Sequence, residues 1–273
     1  NVSVKRTFFY PKMFGGTPEY LFILDDVKST DGKSHNYSML LHGPSTSFSQ
    51  NGDTYSWSTT NEDNQSVVLE GITAASETTT FATKNWYHFY PEHYDKKTHK
   101  RLAVDVANQT GVTYATILYP RLSTGTAPVL TKVTGSNGGY GVKVSVGTMT
   151  DKFVVNPVGG IVVVDGVTTD AKVAYVRYEL GQVTKAGFKQ GSKLQAGNLN
   201  YTTFTQDYVI GQMSGGQFVI VASSGGGVTP TPTLTLVATR TPSPTRTPTP
   251  TTPPIGGGPT ATRTPTPTPR PTS

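Results

Sequence analysis

The chain has 273 residues, a formal net charge of +6 and no cysteine. Disulfides, cysteine-held metals and thiol catalysis are thereby excluded, and no apolar run reaches the ~18–20 residues of a membrane span. The charge is unevenly placed: Arg240, Arg246, Arg263 and Arg270 stand in a C-terminal stretch without Asp or Glu, and removing them leaves +2 for the body. Such scattered charge lacks the clustered Lys/Arg face that phosphate binding demands, so nucleic acid is not an expected partner.

Taken in order, residues 4–10 (VKRTFFY) read as a strand ended by Pro11, and 13–18 as a Gly/Pro loop. Residues 20–27 (YLFILDDV) form a strongly apolar strand, and 35–42 (HNYSMLLH) its return, with Asp31-Gly32 as the hairpin signal between them. A polar loop over 45–53, a short strand centred on Trp57, a polar stretch over 59–65 and short strands over 67–72 and 78–83 follow. Residues 85–100 (NWYHFYPEHYDKKTHK) show no clean period and read as a structured loop.

Residues 101–121 (RLAVDVANQTGVTYATILYPR) organise the rest. Leu102, Val104 and Val106 alternate with Ala103, Asp105 and Ala107, the period of two that turns one face to a core. Asn108 to Gly111 is the expected turn of a long hairpin, residues 112–119 its second strand, and Pro120 the stop, since proline brings no N–H to a ladder. Further strands are expected over 140–147, 152–156, 161–165, 173–180, 183–189, 201–210 and 217–222, with no capped helical stripe anywhere. The expected fold is all-β: an antiparallel β-sandwich of many short strands over residues 1–224.

Beyond it the composition changes. Thirteen of the 20 prolines fall between Pro230 and Pro271, in a Thr-Pro repeat that cannot bury enough apolar surface to offset its chain entropy. Residues 225–273 therefore read as a disordered, semi-rigid linker suited to O-glycosylation outside the cell, joining this domain to another module. The opening at Asn1, already in strand-like sequence and without a signal peptide, reads as a fragment or processed product.

Chemistry is sparsely marked. His88, His93 and His99 share one stretch with Glu92 and Asp95, but the H-E-x-x-H spacing is missing, so neither a metal nor any other cofactor is expected. Adjacent Asp25 and Asp26 point to opposite faces of their strand and cannot flank a scissile bond as a glycosidase pair does. Trp57, Trp86, Tyr87, Phe89, Tyr90 and Tyr94 offer apolar faces that suit either stacking on sugar rings or packing on the sandwich.

Residues 20–27 and 35–42, then 102–121 ending in TILYPR, then 164–177 (VDGVTTDAKVAYVR), resemble in order and spacing the C-terminal β-sandwich of heparinase II/III-like polysaccharide lyases. The resemblance covers most of residues 4–222 and contains no single specific motif. It implies a secreted bacterial enzyme that cuts acidic, uronate-containing polysaccharides by β-elimination, in which a base removes the proton beside the neutralised carboxylate and an acid protonates the leaving oxygen. The family's main catalytic residues lie on an upstream α/α toroid that this sequence lacks, so no catalytic residue is carried over and this chain alone is expected to be inactive. His42 and Arg121 become candidate rim contacts to an anionic glycan, with Trp86 and Tyr87 as candidate stacking residues. The competing reading is a non-catalytic extracellular carbohydrate-binding or structural sandwich on a glycosylated stalk.

Overall fold

The structure, a computed structural model, describes residues 2–11, 19–43, 47–61, 63–89 and 96–224; for 86–89 and 96–98 it describes the backbone alone. The expected linker, residues 225–273, lies outside the described residues, as do His93, Glu92 and Asp95. Eighteen strands are described, in antiparallel sheets. They are β1 (Val2–Phe9), β2 (Leu21–Ser29), β3 (His35–Gly43), β4 (Ser47–Asn51), β5 (Thr54–Thr60) and β6 (Ser66–Ala75). Then come β7 (Thr80–Phe89), β8 (Lys96–Gln109), β9 (Gly111–Leu122), β10 (Val129–Thr134), β11 (Tyr140–Val146) and β12 (Met149–Val155). The last are β13 (Val162–Val164), β14 (Val167–Thr169), β15 (Val173–Glu179), β16 (Gln182–Ala196), β17 (Leu199–Ser214) and β18 (Gln217–Ser223).

A six-stranded middle sheet has the order β1-β2-β9-β6-β5-β4, and a three-stranded outer sheet the order β3-β8-β7. Between them lies a core of Tyr37, Met39, Trp57, Leu102, Val104, Val106, Val112 and Tyr114. On its other face the middle sheet packs Phe22, Leu24, Ile72, Ala115 and Ile117 against Val142, Phe153, Val155 and Tyr175 of a nine-stranded sheet. That sheet runs β10-β11-β12-β15-β16-β14-β13, with β17 and β18 added beyond β16. Its two ends meet where Gly135 bridges to Val164, so it closes around a third core that includes Val154, Val176, Phe188, Leu194 and Val209. A side chain at Gly135 would stand 2.1 Å from the Val163 carbonyl oxygen, so the seam requires glycine there.

The all-β antiparallel sandwich is therefore present, but its connections differ from the expectation. β8 and β9 do not form a hairpin: β8 pairs β3 and β7 in the outer sheet, whereas β9 lies between β2 and β6 in the middle one. The turn at Asn108 carries the chain from one layer to the next. β2 and β3 are separated in the same way across Asp31-Gly32. The two crossings lie side by side, held by Ser29 N–H donating to the Thr110 carbonyl at 2.8 Å and Asn108 N–H donating to Asn36 Oδ1 at 3.0 Å. The physical reason is burial: Val112 to Ile117 are all buried, so β9 has apolar cover on both faces and strands on both edges, which one hairpin partner cannot give.

Three further expectations are corrected. Pro120 does not end β9, which continues to Leu122 with Pro120 opposite Leu69; the pairing of β9 with β2 stops at Leu118, so proline faces a free edge where no N–H is required. The polar stretch 45–53 contains β4, an edge strand whose polar residues suit its exposure. Residues 85–89 and 96–100 are not loop but the ends of β7 and β8, paired Trp86 to His99 and Lys84 to Arg101. β10 and β14 add strands that alternation alone does not single out.

Candidate functional site

The outer sheet has one face on the core, and the register places the residues of its other face in rows. Ser38, Asp105 and Thr80 form one row, Leu40, Ala103 and Ala82 the next, and His42, Arg101 and Lys84 the third. These alternate along β3 with Tyr37, Met39 and Leu41, which pack into the core. His99 stands two residues from Arg101 and opposite Trp86 in the fourth row. In the second row Leu40 and Ala82 are exposed and the small Ala103 between them is buried, which leaves an apolar patch. The third row is cationic: Arg101 is flanked by Lys84 on one side and His42 on the other.

Directly opposed like charges in neighbouring strands are destabilising. Lys84 and Arg101 are such a pair, with cross-strand Cβ separations of about 5 Å. On this face the Asp105 carboxylate lies two rows away and accepts from the Ser38 hydroxyl at 2.5 Å. Arg101 and His42 each interact with other groups of the chain, so what the row offers an anion is its summed positive charge.

His42 is exposed on this face, at the end of β3. Arg121 is not near it. Its guanidinium is clamped in the middle sheet by Glu70, at 2.7 Å from Nε, and donates from Nη1 to the carbonyls of Leu122, Ser123 and Gly125 at 3.1–3.2 Å. It closes the end of β9, on the far side of the core from His42, so the two do not converge on one ligand. Trp86 and Tyr87 lie in β7, in register with His99 and Thr98, and their side chains are outside the described residues. Arg101 and Lys84 escaped the sequence reading because they border residues 85–100, which read as loop; Lys97, His99 and Arg101 recurring at every second position was the signal for a strand face.

The only fully buried ion pair among the described residues lies elsewhere. Arg177 of β15 holds Asp151 of β12 through two hydrogen bonds, 2.7 Å from Nε and 2.6 Å from Nη2, and the hydroxyls of Tyr20 and Tyr175 donate to the same carboxylate at 2.5 and 3.2 Å. Burial, and then the neighbouring carboxylate, push both tyrosines well above their usual range. Burial lowers Arg177, but the hydrogen bonds it donates to Asp151 outweigh it and the guanidinium is held charged. Tyrosine beside arginine and carboxylate is an acid–base constellation in type, yet Asp151 and Arg177 are 0 % exposed. It is a clip between the middle and closed sheets. Asp25 and Asp26 do face opposite ways, one taken by Arg6 at 2.6 and 2.8 Å, the other by Lys172. Among the described residues no three His, Asp or Glu side chains are grouped to hold a metal ion. Among the described residues no helix is long and apolar enough to cross a membrane. Neither a family model nor a curated protein matches the chain.

Proposed function

We propose that this chain holds acidic, uronate-containing polysaccharide outside the cell, as the sandwich portion of a heparinase II/III-like lyase whose α/α toroid carries out β-elimination. The observation that carries the reading is the cationic row His42–Arg101–Lys84 bordering exposed Leu40 and Ala82 on one face of the outer sheet. A uronate polymer offers a carboxylate for the first and the apolar side of a sugar ring for the second. The order of the strand sequences that resemble the lyase sandwich supports the family assignment.

The test is an array of immobilised glycans probed with the purified chain. Polymers rich in uronate are expected to bind, and Arg101→Ala to weaken them about tenfold, close to 1.4 kcal/mol. Raising the salt concentration should weaken binding further, because the row is exposed and screened. Preference for neutral cellulose- or chitin-like chains would overturn the lyase reading. It would favour instead a non-catalytic carbohydrate-binding or structural sandwich, for which the apolar patch is the motivating feature. The isolated chain is expected to release no unsaturated uronic product; measurable release would contradict the assignment of catalysis to the toroid.

A further inference from the structure

On the opposite side of the middle sheet, its edge strand β1 faces β15, β16 and β17 of the closed sheet. Between them is a cleft of about 270 Å³. Its floor is aromatic. Phe22 and Phe153 stack with ring centroids 4.1 Å apart, and Phe9 packs on Tyr175 at 4.6 Å. Phe8, 59 % exposed, and Tyr208, 38 % exposed, stand at its mouth. Tyr175 commits its hydroxyl to Asp151, so the polar side chains left to a ligand are Thr7, Lys189 and Tyr208. A sugar, with a hydroxyl on most carbons, would leave polar groups unmatched here.

One end is charged. A small recess that shares Thr7, Val173 and Lys189 with the cleft is also lined by Lys5, Lys172 and Asp26. Lys172 is taken by Asp26. Lys189 is held only loosely, 4.0 Å from an Asp207 whose side chain is 57 % exposed. Lys5 is exposed and stands across from Asp26 in the β1–β2 register. Three lysines against two carboxylates, at the end of an apolar slot, fit a single negative head group.

We infer that this cleft binds an amphipathic anion: a carboxylate carrying an apolar chain or ring, about ten non-hydrogen atoms in all. The size follows from the cleft volume at roughly 25–30 Å³ per atom, the share a water molecule takes in the liquid. The apolar part lies over Phe22, Phe153 and Phe9, and the carboxylate faces Lys189 and Lys5. This site is separate from the cationic row of the outer sheet and does not depend on the glycan reading.

The test uses three probes of equal length, octanoate, octan-1-ol and octyltrimethylammonium, measured on the purified chain by calorimetry and ligand-observed NMR. Octanoate is expected to bind one per chain, about tenfold more tightly than the alcohol, with the cation weaker still. Replacing Lys5→Met and Lys189→Met together keeps the apolar stems and should remove the preference for octanoate while retaining octanol. Ile210→Trp fills the slot from its partly exposed rim and should abolish both, with the melting temperature reporting that the fold is kept. No octanoate binding at millimolar concentration would overturn the inference, as would equal affinity for the cation or unchanged binding by a folded Ile210→Trp chain. A concentration-dependent dimer that Ile210→Trp dissociates would overturn it in favour of a second copy of the chain seated in the cleft.

Discussion

Asp151 shows how much a single carboxylate can hold together. It receives the Arg177 fork and two tyrosine hydroxyls, one of them from Tyr20 at the start of the middle sheet. One guanidinium nitrogen, Nη1 of Arg177, is buried without a partner, so the pair offsets its own desolvation incompletely. Replacing Asp151→Asn leaves the buried cation uncompensated and is expected to cost about 3–5 kcal/mol in urea unfolding. Asp151→Leu combined with Arg177→Met should recover most of that loss; an unstable double variant would mean that the pair, and not merely its completeness, holds the two sheets together. Asp170 gives the pH dependence. Burial pushes its carboxyl upward, but the Ser192 hydroxyl at 2.5 Å and the N–H groups of Ser192 and Lys193 at 2.9 and 2.8 Å outweigh this and hold it below the usual range. A lowered folded value means stabilisation that is complete above the unfolded value near 3.9 and is lost as pH falls through the folded one. Asp170→Ala should therefore lower the melting temperature at neutral pH and flatten its fall below about pH 4. An acid limb as steep as before would show that other carboxylates set it.

At the level of strands, alternation located most of the ladder but not the partners. A period of two tells which residues share a face, and a turn residue tells where the chain reverses; neither tells whether it returns to the same sheet or rises into the next. Asn108 makes the point. Its φ of +57° is the left-handed conformation that Asn and Gly tolerate, and it serves a crossing between layers as readily as a hairpin. Asn108→Val is expected to destabilise by about 1–2 kcal/mol, whereas Asn108→Gly should stay within about 0.5 kcal/mol of the parent in the same unfolding assay. Equal losses for both would place the role of Asn108 in its side chain rather than its backbone. The β-branched and aromatic run over 112–119 was the legible sign of a strand; that Val112 to Ile117 are all buried, which places β9 inside, came only from the structure. The exposed position of His42 could be read from its alternation with Met39 and Leu41, but its neighbours Arg101 and Lys84 come from strands far along the chain. Only the register of β8 joins them.

Across the described residues, three apolar cores stack in series: outer sheet on middle sheet, middle sheet on closed sheet, and the interior of the closed sheet. The sandwich was legible because almost every segment alternates between turns. The closure was not, since it depends on Gly135 meeting Val164, a single bridge that no local pattern announces. The two surfaces proposed for ligands lie in different layers, the cationic row on the outer sheet and the aromatic cleft beside β1. The central place of β9 has a consequence in time. Its neighbours β2 and β6 are laid down long before it in the chain, so its ladders must wait for distant segments to meet, which makes assembly slow for a chain of this size. Once formed, β9 cannot open without parting both apolar layers. Its amide protons should accordingly be the last to exchange with heavy water, those of β4 and β18 at the margins among the first.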